Sequence, residues 1–182
     1  MEIILIRHGK PTSAINSVLT AAEFTTWVRH YNFSDVSKSS RPNEKLPGNK
    51  DFAYVVSSDL KRAIHSTEIY TAKSPQETFR LFREMEIPRY KIPFRLKAWT
   101  WVYLNRALWM LGLKGSFESY KQAKHRAELA ASKLVELANE KNEVVLFGHG
   151  YMNLHIRRSL VKQGWLLSCK SNDFWGVTRL TS

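Results

Sequence analysis

Two histidines stand at matching places in the chain. His8 closes the apolar run Ile3–Ile6 in Arg7-His8-Gly9, and His149 closes Val144–Phe147 in Gly148-His149-Gly150. Short, β-branched, wholly apolar runs of this kind read as buried strands. In an open α/β sheet, ligands bind beyond the carboxyl ends of the strands. A guanidinium beside an imidazole suits a phosphate there: the arginine grips the anion and the histidine can attack it. A third run, Phe52–Ser57, leads into Ser58-Asp59-Leu60-Lys61-Arg62 and places Arg62 in the first turn of a helix. The free N–H groups and the dipole of that turn also favour an anion. Three strand ends thus aim Arg7, His8, Arg62 and His149 at one place.

The elements that must position these residues alternate along the chain. After Ile3–Ile6 comes a loop from Pro11 to about Leu19. A helix is then predicted over Thr20–Tyr31, with Thr20 as N-cap and Glu23 three residues on. Asn32–Asp51, with Pro42, Pro47 and Gly48, reads as a long surface loop. Strand Phe52–Ser57 leads to a helix capped by Ser58 or Asp59 and running to about Ala72. A weaker strand, Glu77–Phe82, is followed by an irregular stretch broken at Pro88 and Pro93. Lys97–Leu111 looks helical and stops at Gly112. A long helix runs from about Phe117 to Asn139, its apolar positions from Ala123 to Ala138 falling at helical spacing. Val144–Phe147, a helix from about Tyr151 to Gln163, and a last strand Phe174–Leu180 complete the pattern. Alternation of this kind predicts an α/β fold, a three-layer α/β/α sandwich with a mostly parallel central sheet. No internal boundary is visible, so residues 1–182 read as one domain.

The totals agree with one folded unit. The chain has 182 residues, 43% hydrophobic and 24% charged, and a formal net charge of +12. That charge predicts an anionic partner or a solvated basic surface. One cysteine, Cys169, allows no internal disulfide and fits a reducing, cytoplasmic setting. No signal peptide and no bilayer-spanning run are predicted. No cofactor or metal is called for: His65 and His155 sit on predicted helices without a partner at ligand spacing. Together with His30 and His125 they read as surface or helix-face residues.

Taken together, the blocks resemble the histidine phosphatase superfamily, the phosphoglycerate mutase-like family. Arg7-His8-Gly9 is similar to its signature after the first strand. Ser57-Ser58-Asp59-Leu60-Lys61-Arg62-Ala63, with Ser66, is similar to its second block. Glu84 matches its acidic residue after the third strand, and Gly148-His149-Gly150 its second histidine. The resemblance implies that His8 attacks a phosphoryl group to form a phosphohistidine, which water or another acceptor then discharges. It implies that Arg7, Arg62 and His149 hold the phosphoryl oxygens, and that Glu84 protonates the leaving oxygen and later activates water. Glu86, two residues on, competes for that role. Tyr151 and Asn153 are candidates to line the pocket. The chain departs from the mutases at Ala14, where they carry asparagine six residues after the nucleophile, and lacks their Glu-Arg-His-Tyr-Gly extension, having Glu84-Met85-Glu86-Ile87-Pro88 instead. The expectation is therefore a metal-independent phosphomonoesterase acting on a phosphorylated small molecule or phosphoprotein, phosphohistidine included. Mutase-type phosphoryl transfer is the alternative.

An aromatic-rich insertion at about 92–115 carries Trp99, Trp101 and Trp109 beside Arg95, Lys97, Arg106 and Lys114. Trp101, Leu104, Leu108 and Leu111 are predicted to form one helical stripe, with Trp99, Val102 and Trp109 as an apolar flank, together broader than a single core-facing stripe needs. It reads as a lid over the site, as an interfacial helix on anionic lipid, or as a protein contact. The non-enzymatic rival is a basic module binding nucleic acid or an anionic membrane. The scattered basic residues and the lack of a nucleic-acid motif argue against nucleic acid.

Overall fold

The computed structural model describes residues 1–42 and 53–182. Phe52 and residues 43–51 of the predicted Asn32–Asp51 loop fall outside them, and Asn32 and Phe33 of that loop belong to the first helix. Along the chain run β1 (Glu2–Arg7), β2 (Val18–Leu19), α1 (Ala21–Phe33), β3 (Tyr54–Ser58), α2 (Lys61–Thr71) and β4 (Glu77–Phe79). A 3₁₀ turn (Arg80–Phe82) follows, then β5 (Leu96–Lys97), α3 (Ala98–Met110), α4 (Tyr120–Lys141), β6 (Glu143–Gly148), α5 (Gly150–Lys162), β7 (Leu166–Cys169) and β8 (Val177–Thr181).

Six strands form one sheet in the order β4-β3-β6-β1-β8-β7. β4, β3, β6 and β1 are mutually parallel, while β8 and β7 run antiparallel at one side. Side-chain alternation splits the central strands between two layers. Ile3, Leu5, Val144 and Leu146 pack against Ala127, Leu134, Met152 and Ile156 of α4 and α5. Ile4, Ile6, Val145 and Phe147 face the other way, with Tyr70 of α2 against them. The expected α/β/α sandwich is present.

The parallel register does most to build the site. β1 and β6 pair with Arg7 opposite Gly148, so His8 and His149 leave the sheet at the same height on adjacent strands. β3 lies on the other side of β6, with Ser57 opposite Phe147, and delivers α2 to that same end.

Several elements differ from the sequence expectation. Neither Ser58 nor Asp59 caps α2, whose N-cap is Leu60 with no side-chain bond. The Asp59 carboxylate is taken by the Arg83 guanidinium in a two-bonded pair at 2.6 and 2.7 Å. Predicted strand Glu77–Phe82 tightens into the 3₁₀ turn after Phe79. The long helix starts at Tyr120, where Ser119 and Gln122 form a capping box. The last strand begins at Val177, because Trp175 takes φ 63° and turns the chain before it. The small β2–β5 ribbon and the edge strand β7 have no counterpart in the sequence reading.

The insertion helix is rotated from its predicted phase. The buried residues of α3 are Ala98, Trp101, Asn105, Arg106 and Trp109, whereas Leu111 is 78% exposed. Asn105 turns inward with its amide paired at both ends, and Arg106 with one arm of its guanidinium paired while Nη1 has no partner among the described residues. Asn105 donates to Trp101 O and accepts from Tyr90 N. Arg106 donates to Met85 O at 2.6 Å and lies over the Trp109 and Tyr151 rings. The helix packs Ala98 and Trp101 against Phe24, Trp27, Val28 and Tyr31 of α1. Its outer face leaves Tyr103, Met110 and Leu111 in water. No helix among the described residues is long and apolar enough to cross a membrane.

Candidate active site

His8 is fully buried at the end of β1. Its Nδ1–H donates to its neighbour Gly9 O at 2.7 Å. Its Nε2 receives the Arg62 Nε–H at 3.2 Å. The ring is therefore neutral, with its lone pair on Nε2. Burial pushes the His8 pKa well below its ordinary value, and the Arg62 and Arg7 guanidiniums push the same way. His149 lies with its ring centroid 5.0 Å from that of His8, edge to face. Burial, then Arg62, His8 and Arg7, lower its pKa as well. The fixed positive charge at this end of the sheet is thus carried by the two arginines, not by an imidazolium.

Arg62, in the first turn of α2, is buried and anchored from below. Its Nη1 donates to Tyr31 O and Asn32 O, both at 3.1 Å, at the end of α1. Ser66, one turn on, donates to Arg62 O and accepts from Gly9 N. One hydroxyl thereby ties the loop of His8 to the helix of Arg62. Arg7 is held from the far side: its Nη1 donates to Asn172 O at 2.6 Å and its guanidinium lies 4.1 Å from the Phe174 ring centre. Close approach explains the glycines. A Cβ on Gly9 would sit 2.4 Å from the Trp175 ring, and one on Gly148 would sit 2.3 Å from Asn153 Oδ1.

Arg7 Nε, Arg62 Nη2 and both ring nitrogens of His149 are buried without a hydrogen-bond partner among the described residues. Buried unpaired donors cost about 1–3 kcal/mol each. A tetrahedral oxyanion presents acceptors suited to the two guanidinium donors and to the one N–H of the neutral His149 ring, and its charge matches the two guanidiniums.

Glu84 approaches from the segment after the 3₁₀ turn and docks on the first turn of α5. Oε1 accepts from Met85 N and Met152 N, both at 2.9 Å, and Oε2 from Tyr151 N at 3.2 Å. Its charge reaches Arg62, whose pKa it raises against the lowering by burial. Glu86 points elsewhere: it is exposed and accepts from Glu118 N at 3.0 Å. The structure thus brings His8, His149, Arg7 and Arg62 together, sets Glu84 beside them, and leaves Glu86 out. Asn153 packs on Gly148, and Tyr151 offers its backbone to Glu84 and its ring to Arg106.

The sequence reading missed Arg126. From α4 its guanidinium forks onto the Glu118 carboxylate at 2.7 and 2.8 Å. The same group donates to Leu81 O, Arg83 O and Glu84 O. It clamps the backbone that carries Glu84. The only signal was an arginine adjoining the alanine stripe of a long helix. His155, expected as a surface or helix-face residue, lies on the buried face of α5. His65 instead pairs with Asp35, as does Lys61. Among the described residues, no group of three or more His, Cys, Asp or Glu could hold a metal ion.

Several solved structures share this fold. A phosphoserine phosphatase from Entamoeba histolytica, solved with phosphoserine, superposes with TM-score 0.60 at 13% identity, over 100% of this chain and 95% of that one. The open reading frame Rv3214 of Mycobacterium tuberculosis gives 0.59 at 16% identity, over 85% and 77%. A mycobacterial glucosyl-3-phosphoglycerate phosphatase gives 0.54 at 16% identity, over 88% and 79%. At such identities the likeness is one of fold. No curated protein matches the sequence. The family model for the histidine phosphatase superfamily (branch 1) matches residues 39–166, a stretch that starts after Arg7-His8-Gly9 and contains Arg62, Glu84 and His149. With well over half of its length matched and the fold in place, this chain belongs to the histidine phosphatase superfamily.

Proposed function

We propose that the protein is a phosphatase that hydrolyses a small phosphomonoester through a phosphohistidine on His8. The observation that carries this reading is the tautomer of His8. Nδ1 is committed to Gly9 O, so the lone pair stands on Nε2 beside Arg62. Burial keeps that lone pair free of a proton at neutral pH. In the first step Nε2 attacks phosphorus, the bond from phosphorus to the ester oxygen breaks, and Glu84 gives that oxygen a proton. In the second step Glu84 takes a proton from water as the water attacks phosphorus, the P–N bond breaks, and inorganic phosphate leaves. Arg7, Arg62 and His149 donate to the phosphoryl oxygens throughout, the preorganised field on which such a transfer depends. The working oxygen of Glu84 is Oε2, which is held by one long bond while Oε1 is held by two short ones.

The named relatives of this fold act on phosphoserine and on glucosyl-3-phosphoglycerate, which favours a small phosphorylated substrate here as well. Hydrolysis is preferred over mutase transfer because Ala14 replaces the mutase asparagine. The nearby Asn16 is committed to capping Trp99 N at 3.1 Å. We read residues 1–182 as one domain that works without cofactor or metal in the cytoplasm, with 92–115 as a wall of the substrate pocket. The test is turnover of p-nitrophenyl phosphate with acid-labile, base-stable phosphate trapped on the protein. His8→Ala should abolish both. Full activity in that variant, or activity lost entirely to a chelator, would overturn the reading.

A further inference from the structure

A cleft of about 320 Å³ lies between α4 and α5, and none of Arg7, His8, Arg62, Glu84 or His149 lines it. Tyr120, Lys124 and Glu128 face it from α4, and His155, Arg158 and Lys162 from α5. The first three are spaced four apart and the second three by three and four, so each set is one helical stripe. Arg157 also lines the cleft, so four cationic side chains stand there against the single carboxylate of Glu128. Lys124, Arg158 and Lys162 form no ion pair among the described residues. The Lys124 ammonium rests 5.7 Å from the Tyr120 ring centre.

His155 makes this more than a solvated basic face. It is 6% exposed, wedged edge-on to Tyr120 and tilted against Tyr151, with ring centroids at 5.8 and 5.3 Å. Its Nε2 is buried and has no hydrogen-bond partner among the described residues. Burial, with Arg158 and Lys124 beside it, lowers its pKa to about 4. The imidazole is thus neutral at pH 7, able to donate one N–H without adding to the local charge. A buried polar atom left unpaired beside uncompensated cations is matched by an anion. The volume exceeds that of a bare phosphate and falls in the range of small-molecule sites.

We propose that this cleft is a second anion site, separate from the candidate active site, that takes the phosphate group of a small ligand. Arg158, Lys124 and Lys162 meet the phosphate oxygens at the rim, and His155 Nε2–H meets the anion from within. The inference stands whether or not the chain is a phosphatase.

Long-range ¹H–¹⁵N NMR of the six histidine rings reads the site directly, with His155→Gln assigning its signal. The probes are inorganic phosphate and phenylphosphonate, which resists hydrolysis. Both should shift the His155 signals saturably. Tighter binding of phenylphosphonate identifies a phosphate-bearing organic ligand, and equal or tighter binding of phosphate identifies the free ion. Arg158→Gln/Lys162→Gln, two replacements at the cleft rim, should weaken the His155 response at least ~10-fold and leave any response of His8 and His149 unchanged. The proposal fails if His155 is unmoved by millimolar probe, or if the double variant responds as the wild type does. It also fails if only a poly(U) strand, and neither small probe, shifts the signal.

Discussion

Arg126→Lys separates the placing of Glu84 from the chemistry of the other groups. The arginine makes five donor contacts to oxygen, two to Glu118 and three to the carbonyls of residues 81, 83 and 84. Its side chain is 22% exposed and that of Glu118 is 16% exposed. Lysine keeps the charge but cannot fork, so at least one arm of the carboxylate pair and most of the carbonyl contacts are lost. Charge-assisted bonds contribute about 1.5–3 kcal/mol each, and lysine recovers part of that. A net loss of about 2–3 kcal/mol follows, or a fall in Tm of about 5–10 °C for a chain of this size. The catalytic effect depends on the leaving group. p-Nitrophenolate departs without a proton, whereas an alkoxide needs one. With Glu84 loosened by about 1 Å, kcat/KM for glycerol phosphate should fall about 100-fold. The value for p-nitrophenyl phosphate should fall by no more than about threefold, a general acid being worth about 10²–10⁴ only where the proton is needed. kcat/KM is the right quantity because it reports the first phosphoryl transfer alone. Glu84→Gln should reproduce the pattern with a larger ratio. Equal losses on both esters would refute the idea that Arg126 acts by placing a proton donor.

Three further outcomes are expected. Arg62→Lys leaves Tyr31 O and Asn32 O with at most one donor and removes the contact to His8 Nε2; kcat/KM should drop by more than about 100-fold on either ester, and near-wild-type values would remove Arg62 from the site. Gly9→Ala forces a methyl against Trp175 and Val36; urea titration should show about 1–3 kcal/mol of lost stability, and no loss would contradict the packing. His8, His149 and His155 all have pKa values lowered in the folded state. Above their ordinary value of about 6.5 both states bind the same protons. Below it only the unfolded chain takes them up, so stability should fall with decreasing pH, by up to about 1.4 kcal/mol per pH unit per histidine. Urea midpoints measured from pH 7 to pH 5 check this, and a midpoint that stays flat or rises would show that these histidines titrate normally.

The main features of the site could be read from sequence because the strands that carry it are unambiguous. Ile3–Ile6 and Val144–Phe147 are buried on both faces, so they appear as unbroken apolar runs. The polar residue and glycine that end each run mark where the chain leaves the sheet. β7 offered no such signal, since all four of its residues are exposed. The β2–β5 ribbon has two residues per strand, too few for any periodicity. The phase of α3 was misread for a different reason. Periodicity assigns polar residues to water, but Asn105 and Arg106 are paid for by backbone groups and aromatic rings that only the tertiary fold supplies. Arg126 and His155 were overlooked in the same way: Arg126 reaches carbonyls of residues 81–84, and His155 is buried partly against Tyr120 of another helix. The choice of Glu84 over Glu86 needed the register of a non-repetitive segment, which propensity does not encode.

The pairing of Arg7 with Gly148 also has a kinetic consequence. The two histidines are brought together by a parallel ladder whose strands lie at opposite ends of the sequence, and β3 must join the far side of β6 to bring Arg62. Non-local parallel pairing forms slowly compared with helices. During refolding, helical signal from α4 should therefore appear well before any capacity to turn over a phosphate ester. Recovery of that turnover would time the closing of the sheet's centre.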